Sequence, residues 1–227
     1  FDDYCQAYQD QHAASIRITG EDTGYFAQYK ARDARQLARR AGCGVAAILD
    51  FGSGIGNSVG PLRENFPDAQ LTCADVSAGS LAISRKINGE GPAYVAYDGQ
   101  VLPFADNAFD LTFTACVFHH IPREQHVTIL SELRRVLRPD GLFVLYEHNP
   151  WNPLTRHAVA SCPFDKDAVL IAAGRMKQRL QAAGFEDVRT DYRVFFPRML
   201  SALRPLEPLL SGVPLGGQYV LSARGGA

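Results

Sequence analysis

Long apolar runs, paired cysteines and an excess of positive charge are all missing from this chain. No stretch approaches the roughly 18 consecutive apolar residues that a membrane-spanning helix needs, so no transmembrane segment is expected. No signal peptide is visible either. The five cysteines (Cys5, Cys43, Cys73, Cys116 and Cys162) form no Cys-x-x-Cys pair, and their number is odd. That pattern speaks against a disulfide framework and fits buried free thiols in a reducing cytoplasm, the expected location. A net charge of −1 lacks the basic face of a dedicated nucleic-acid binder, so no nucleic-acid partner is expected. The lysines and arginines between Arg175 and Arg204 are spread among apolar residues and read as a solvated helix face.

What is present suffices for a sizeable core: 46% of the 227 residues are hydrophobic and 21% are charged. The length fits one domain with an elaborated end. Residues 1–44 read as a helical cap: a loose acidic and aromatic helix ending at Gly20, then a stronger one over 24–40 with Tyr25, Phe26, Tyr29, Leu37 and Ala38 in its apolar stripe. Residues 45–147 alternate between strands (46–51, 70–75, 93–97, 109–116, 141–147) and helices (57–66, 78–87, 123–138). Such a βαβ series predicts an α/β fold with a mostly parallel sheet. In 148–227 the rhythm changes. Two prolines in Asn149-Pro150-Trp151-Asn152-Pro153 demand a structured turn. Short helices follow near 155–160 and 175–183, with strands at 187–196 and 218–223.

Around one stretch, Ile48-Leu49-Asp50-Phe51-Gly52-Ser53-Gly54-Ile55-Gly56, an apolar strand ends in an acid and then in alternate glycines. Such glycines admit positive φ and let a ligand lie against bare backbone, at the strand end where open α/β sheets bind small molecules. Three acids stand at three successive strand ends: Asp50, Asp75 and Asp98. An acid at the second strand can take both ribose hydroxyls of a nucleoside, and one at the third can accept from an adenine amino group. Together they describe a site for an adenosine bearing a cationic group; a pyrophosphate would be repelled. A helix cap or a solvated loop acid is the plainer reading of each alone, above all for Asp98.

With Asp75-Val76-Ser77, Asp98-Gly99-Gln100-Val101-Leu102-Pro103-Phe104, Phe109-Asp110-Leu111-Thr112-Phe113 and Leu133 to Gly141, the glycine stretch resembles the class I S-adenosylmethionine-dependent methyltransferase family of the small-molecule type, over roughly residues 45–147. Leu142 stands where members often carry a second glycine. The resemblance implies a Rossmann-like, doubly wound seven-stranded sheet of order 3-2-1-4-5-7-6 with strand 7 antiparallel. The implied cofactor is S-adenosyl-L-methionine, with S-adenosyl-L-homocysteine as product. It further implies that Gly52, Ser53, Gly54 and Gly56 approach the methionine moiety, with Asp50 on its ammonium. Asp75 would take the ribose, Val76 would pack on adenine, and Asp98 and Gly99 would read the adenine edge. Cys116 and Val117 would lie beneath the sulfonium. Tyr25 and Lys30 belong to a helix that often covers the cofactor in the family, Lys30 meeting the methionine carboxylate; an aromatic core with a surface lysine is the equal alternative.

The expected activity is methyl transfer to a small-molecule acceptor through oxygen, nitrogen or carbon, with aromatic, polyketide-like, sugar and lipid-linked acceptors all open. A base is needed only where the nucleophile must lose a proton, and His120 and His148 are the candidates, with His119 beside them. The alternative is that they only shape the pocket. His119, His120 and Glu147 show no metal-ligand spacing, so no metal is expected. The loop at 149–156 with Trp151 and the apolar 198–210 segment should wall the acceptor pocket, the latter with a membrane surface as a weaker alternative. Two rivals stay open. One is an NAD-linked oxidoreductase, although Asn57 occupies the place of the third glycine. The other is a non-catalytic S-adenosylmethionine-binding partner subunit.

Overall fold

A computed structural model describes residues 20–21, 23–162 and 165–226. The helix expected before Gly20, and Cys5 with it, lies outside the described residues. Seven strands form one sheet in the order β3-β2-β1-β4-β5-β7-β6. They are β1 (Ala47–Phe51), β2 (Gln70–Asp75), β3 (Ala93–Ala96), β4 (Phe109–Ala115), β5 (Leu137–His148), β6 (Glu186–Arg193) and β7 (Gln218–Arg224). The β1–β2, β1–β4, β2–β3 and β4–β5 pairs are parallel, and β7 runs antiparallel to both β5 and β6. The helices are α1 (Thr23–Arg40), α2 (Val59–Asn65), α3 (Ala78–Asn88), α4 (His126–Val136), α5 (Pro153–Ser161), α6 (Ala173–Ala182) and the short α7 (Glu207–Leu210). The expected fold class and strand order are those observed.

Both sheet faces are covered, so the central strands are buried at nearly every position. Leu142 to Tyr146 of β5 is an unbroken apolar run, while β4 alternates apolar residues with the buried Asp110, Thr112 and Thr114. Ile48, Cys73, Leu111, Phe113 and Tyr146 pack with Leu37 of α1 and Leu62 of α2. On the opposite face Leu49, Phe51, Phe143 and Leu145 pack with Leu130 and Leu133 of α4 and Met176 of α6. Full burial of each such side chain contributes about 1.5–3 kcal/mol. At the start of α3 the Ser77 hydroxyl accepts from Ser80 N at 3.1 Å, a side-chain cap.

The structure corrects three expectations about the fold. The buried stripe of α1 is Ala27, Ala31, Ala34, Leu37 and Ala38; small residues let the helix lie close, and Tyr25 and Phe26 turn instead into a cavity. The helix expected to reach residue 138 stops at Val136, and β5 begins at Leu137. Arg138 precedes Pro139 and is therefore biased out of helix, while Leu137, buried, pairs with Phe109 before a register shift. The 198–210 segment forms a 3-10 helix (Arg198–Leu206) running into α7, with Met199 87% and Leu209 81% exposed. Its aliphatic side chains face outward, so they do not wall a pocket.

The proline-rich turn after β5 is held by Asn149. Its Nδ2 donates to Pro214 O (3.0 Å) and Gly216 O (2.8 Å), and its Oδ1 accepts from Trp151 N (3.1 Å). Asn152 Oδ1 then caps α5 by accepting from Thr155 N at 3.0 Å. Trp151 itself points outward, 68% exposed.

Candidate active site

At the carboxyl ends of β1, β2 and β4 lies a cavity of about 410 Å³, within the range of small-molecule sites. Its floor is the turn after β1. Gly52 N and Ser53 N both donate to Ala74 O, at 2.8 and 3.2 Å, folding the turn across the end of β2. Gly52 has φ +70°, and a Cβ there would sit 2.5 Å from Val117 Cγ2, so only glycine lets Val117 close over the turn. Asp75 holds the turn from the side: Oδ2 accepts from Gly54 N at 2.8 Å and Oδ1 from Ser77 N at 2.9 Å.

Asp50 sits beneath this turn, 2% exposed, with Oδ2 buried and without a hydrogen-bond partner among the described residues. Burial first, and the Asp75 charge second, push its carboxyl up to about 7. A buried acceptor left unmade is costly. A ligand presenting a cationic N–H donor would both satisfy Oδ2 and hold the carboxylate ionised.

On the flank, Val76 (52% exposed), Tyr97 and Gly99 line the cavity, an apolar surface of the kind a flat ring packs on. Two expected ligand residues stand elsewhere. Asp98 is exposed and outside the cavity lining; its Oδ1 accepts from Gln100 N (2.8 Å) and Val101 N (3.1 Å), so it closes a turn, the plainer of its two readings. Gly56 packs against α3, where a Cβ would overlap the Ser84 hydroxyl, and it too lies outside the lining.

The opposite wall carries the titratable groups. Cys116, just past β4, is held at φ +60°, an uncommon conformation for a residue with a side chain. Lys30 Nζ donates to its Sγ at 3.3 Å. Burial pushes the Cys116 thiol up, but His148 and Lys30 beside it outweigh that and bring it down to about 7. His119 is buried, with Nδ1 2.6 Å from Glu147 Oε2, and Glu147 Oε1 also accepts from Phe118 N at 2.7 Å. Burial opposes protonation of His119, yet Glu147 and Asp165 reverse that and hold the imidazolium well above its usual range. Glu147 is correspondingly held down at about 2 despite its burial. His120 is pulled down to about 4 by burial and by the His119 charge. His148 completes the row, its ring 5.2 Å from that of His119.

The cavity thus brings together Tyr25, Lys30, Asp50, Gly52, Ser53, Gly54, Asp75, Val76, Gly99, Cys116, Val117, His120 and His148. Sequence reading missed Tyr97, which needed only the strand-end position beside Asp98 to be noticed. It also missed Asp165, Gln218, Phe195 and Phe196, which long loops and the returning strand β7 bring in. Gln218 Oε1 is another buried acceptor in the lining without a partner among the described residues. Over the mouth, Arg204 lies 4.7 Å from the Tyr25 ring centre and 2.5 Å from Glu21 Oε1, joining the 198–206 segment to the start of α1.

A family model described as a methyltransferase domain matches residues 49–145. The trans-aconitate 2-methyltransferase of Azoarcus sp. is 30% identical over 174 residues, covering 75% of this chain and 67% of that protein. The malonyl-[acyl-carrier protein] O-methyltransferase of Methylococcus capsulatus is 29% identical over 178 residues, again 75% of this chain. The chain spans 64% of that relative's length, and 46% and 38% of two others. A solved S-adenosylmethionine-dependent methyltransferase from Thermotoga maritima, described as a possible histamine N-methyltransferase, superposes with a TM-score of 0.67 at 19% identity, over 89% of this chain and 91% of that one. At that identity the likeness is one of fold.

Proposed function

This chain belongs to the S-adenosylmethionine-dependent methyltransferase family, and from that premise we propose that it transfers a methyl group from S-adenosylmethionine to a small-molecule acceptor. The observation that carries the reading is Asp50 Oδ2, a buried carboxylate oxygen without a partner among the described residues, beneath a glycine turn. The residues present fit this donor. Asp50 offers an anion to its ammonium, and the backbone of Gly52, Ser53 and Gly54 leaves room for the methionine chain. Asp75, at the end of β2 in the cavity lining, takes the ribose hydroxyls. Val76, Tyr97 and Gly99 flank the adenine. Lys30, beside Cys116 on the opposite wall, meets the carboxylate. Asp98 and Gly56 are left out of this set.

When bound, the donor supplies an electrophilic methyl on a sulfonium. What this chain adds is alignment and exclusion of water. The acceptor's reactive end faces His120, His148 and Gln218, and its apolar body lies against Leu154, Phe195 and Phe196. Where the nucleophile must shed a proton, His148 takes it at an imidazole nitrogen. His119 is committed to Glu147, and His120 to Asp165 at 3.4 Å. A mostly apolar cavity with a smaller polar part suits a compact molecule with one nucleophilic group, lipid-linked acceptors included. No helix among the described residues is long and apolar enough to cross a membrane. The described cysteines (Cys43, Cys73, Cys116 and Cys162) are free thiols, which supports a cytoplasmic setting.

A thermal-shift titration with S-adenosylhomocysteine and NAD in parallel tests the donor, and a transfer assay with labelled donor over a panel of acceptors tests turnover. S-adenosylhomocysteine should stabilise by about 2.7 kcal/mol at a hundredfold excess over its Kd, and NAD should not. The reverse result would remove the reading.

A further inference from the structure

We propose that His119, His120 and Asp165 bind a divalent first-row transition-metal ion in the cavity wall. Each offers one ligand atom, and the three atoms lie within 4.8 Å of one another. Asp165 Oδ1 stands 3.6 Å from His119 Nε2 and 3.4 Å from His120 Nε2. Metal–ligand bonds of about 2.0–2.2 Å place neighbouring ligands of a tetrahedral ion roughly 3.4 Å apart, so little movement is needed to close the set.

Three further observations support a built site. First, His119 Nδ1 shares its proton with Glu147 at 2.6 Å and Nε2 is turned toward Asp165, so an ion that displaces the Nε2 proton meets an imidazole already oriented from behind. A carboxylate behind a ligating histidine is the usual outer support of a metal site. Secondly, hydrogen bonds tie residues 165–169 to their neighbours. Val169 N donates to His119 O at 2.9 Å, Ala168 N to Asp165 O at 2.9 Å, and Asp165 N to Cys162 O at 3.1 Å. Thirdly, all three residues line the cavity, so the remaining coordination position faces the acceptor side. Three protein ligands and one open position are the pattern of a catalytic site, not a closed structural one. Two imidazoles with one carboxylate suit zinc, iron(II), cobalt(II) or manganese(II).

The site's use rests on the methyltransferase reading above: an acceptor oxygen in the open position loses its proton to His148 more readily, because the ion's charge favours the alkoxide or phenoxide. Binding of the ion does not depend on that reading.

The test is to strip the full-length protein with chelator, titrate it with cobalt(II), follow the visible absorption bands, and displace the cobalt with zinc. One equivalent per chain is expected. Asp165→Asn should weaken cobalt at least tenfold, and Glu147→Gln ten- to hundredfold. The S-adenosylhomocysteine thermal shift of Asp165→Asn should stay at the wild-type value, which shows that the variant is folded. Absence of cobalt bands from wild type, or equal cobalt affinity in a folded Asp165→Asn, overturns the site in favour of a hydrogen-bonded clamp. Stoichiometric cobalt in a protein that gives no S-adenosylhomocysteine shift sustains the metal site and overturns the proposed function instead.

Discussion

Asp75 accepts the Gly54 amide at 2.8 Å, so the acid at the end of β2 also holds the turn that follows Asp50. Its second oxygen accepts from Ser77 N, at the start of α3. On the proposed donor site, ligand recognition and loop geometry would therefore rest on one carboxylate. Asp75→Ala should weaken S-adenosylhomocysteine by about 1–3 kcal/mol and also lower the melting temperature of the ligand-free protein. Calorimetric titration and a thermal melt read the two effects separately; wild-type affinity in Asp75→Ala would exclude the ribose assignment.

Asp50 gives the donor site a pH dependence. Its carboxyl is raised from 3.8 to about 7 by burial and by Asp75, with Cys73 the other titratable group beside it. Between those values the folded protein holds a proton that the unfolded chain has lost. The ligand-free protein therefore loses stability as pH rises through the window. Only the ionised form pairs with an ammonium, so affinity for S-adenosylhomocysteine should climb up to about tenfold per pH unit and level off above about pH 7. Asp50→Asn should flatten that profile. Binding titrations across the window decide it, and a wild-type profile already flat would contradict the raised carboxyl.

For turnover the weight falls on His148. His148→Ala should lower kcat by about 10² with an acceptor that must lose a proton, while leaving S-adenosylhomocysteine affinity near wild type. A drop of only a fewfold would make His148 a wall of the pocket.

Gly56 separates packing from binding. It has φ +82°, and an added Cβ would overlap Ser84 and crowd Asn88 of α3. Gly56→Ala should therefore destabilise the protein by roughly 1–3 kcal/mol, readable as a fall in denaturation midpoint. If stability were kept and donor affinity lost, Gly56 would belong to the ligand site after all.

Much of the fold was legible from the chain because buried strands announce themselves as runs rich in apolar residues, and the acids that line the cavity stand where those runs stop. Asp50 and Asp75 follow from that rule. Asp98 also stands at a strand end yet lies outside the cavity lining, since an aspartate followed by Gly99-Gln100-Val101 accepts from the Gln100 and Val101 amides. The end of α4 was misread because the helical period continues through Leu137, whereas the constraint from Pro139 on Arg138 acts earlier. Asp165 carried no local signal: it meets His119 and His120 only because a loop more than forty residues downstream is tied to His119 O through Val169.

The most direct test of the donor site is a crystal structure with S-adenosylhomocysteine. The expected density places the ligand's amino nitrogen within hydrogen-bond distance of Asp50 Oδ2 and its ribose hydroxyls on Asp75. A ligand bound elsewhere, or one leaving Asp50 Oδ2 still without a donor, would contradict it.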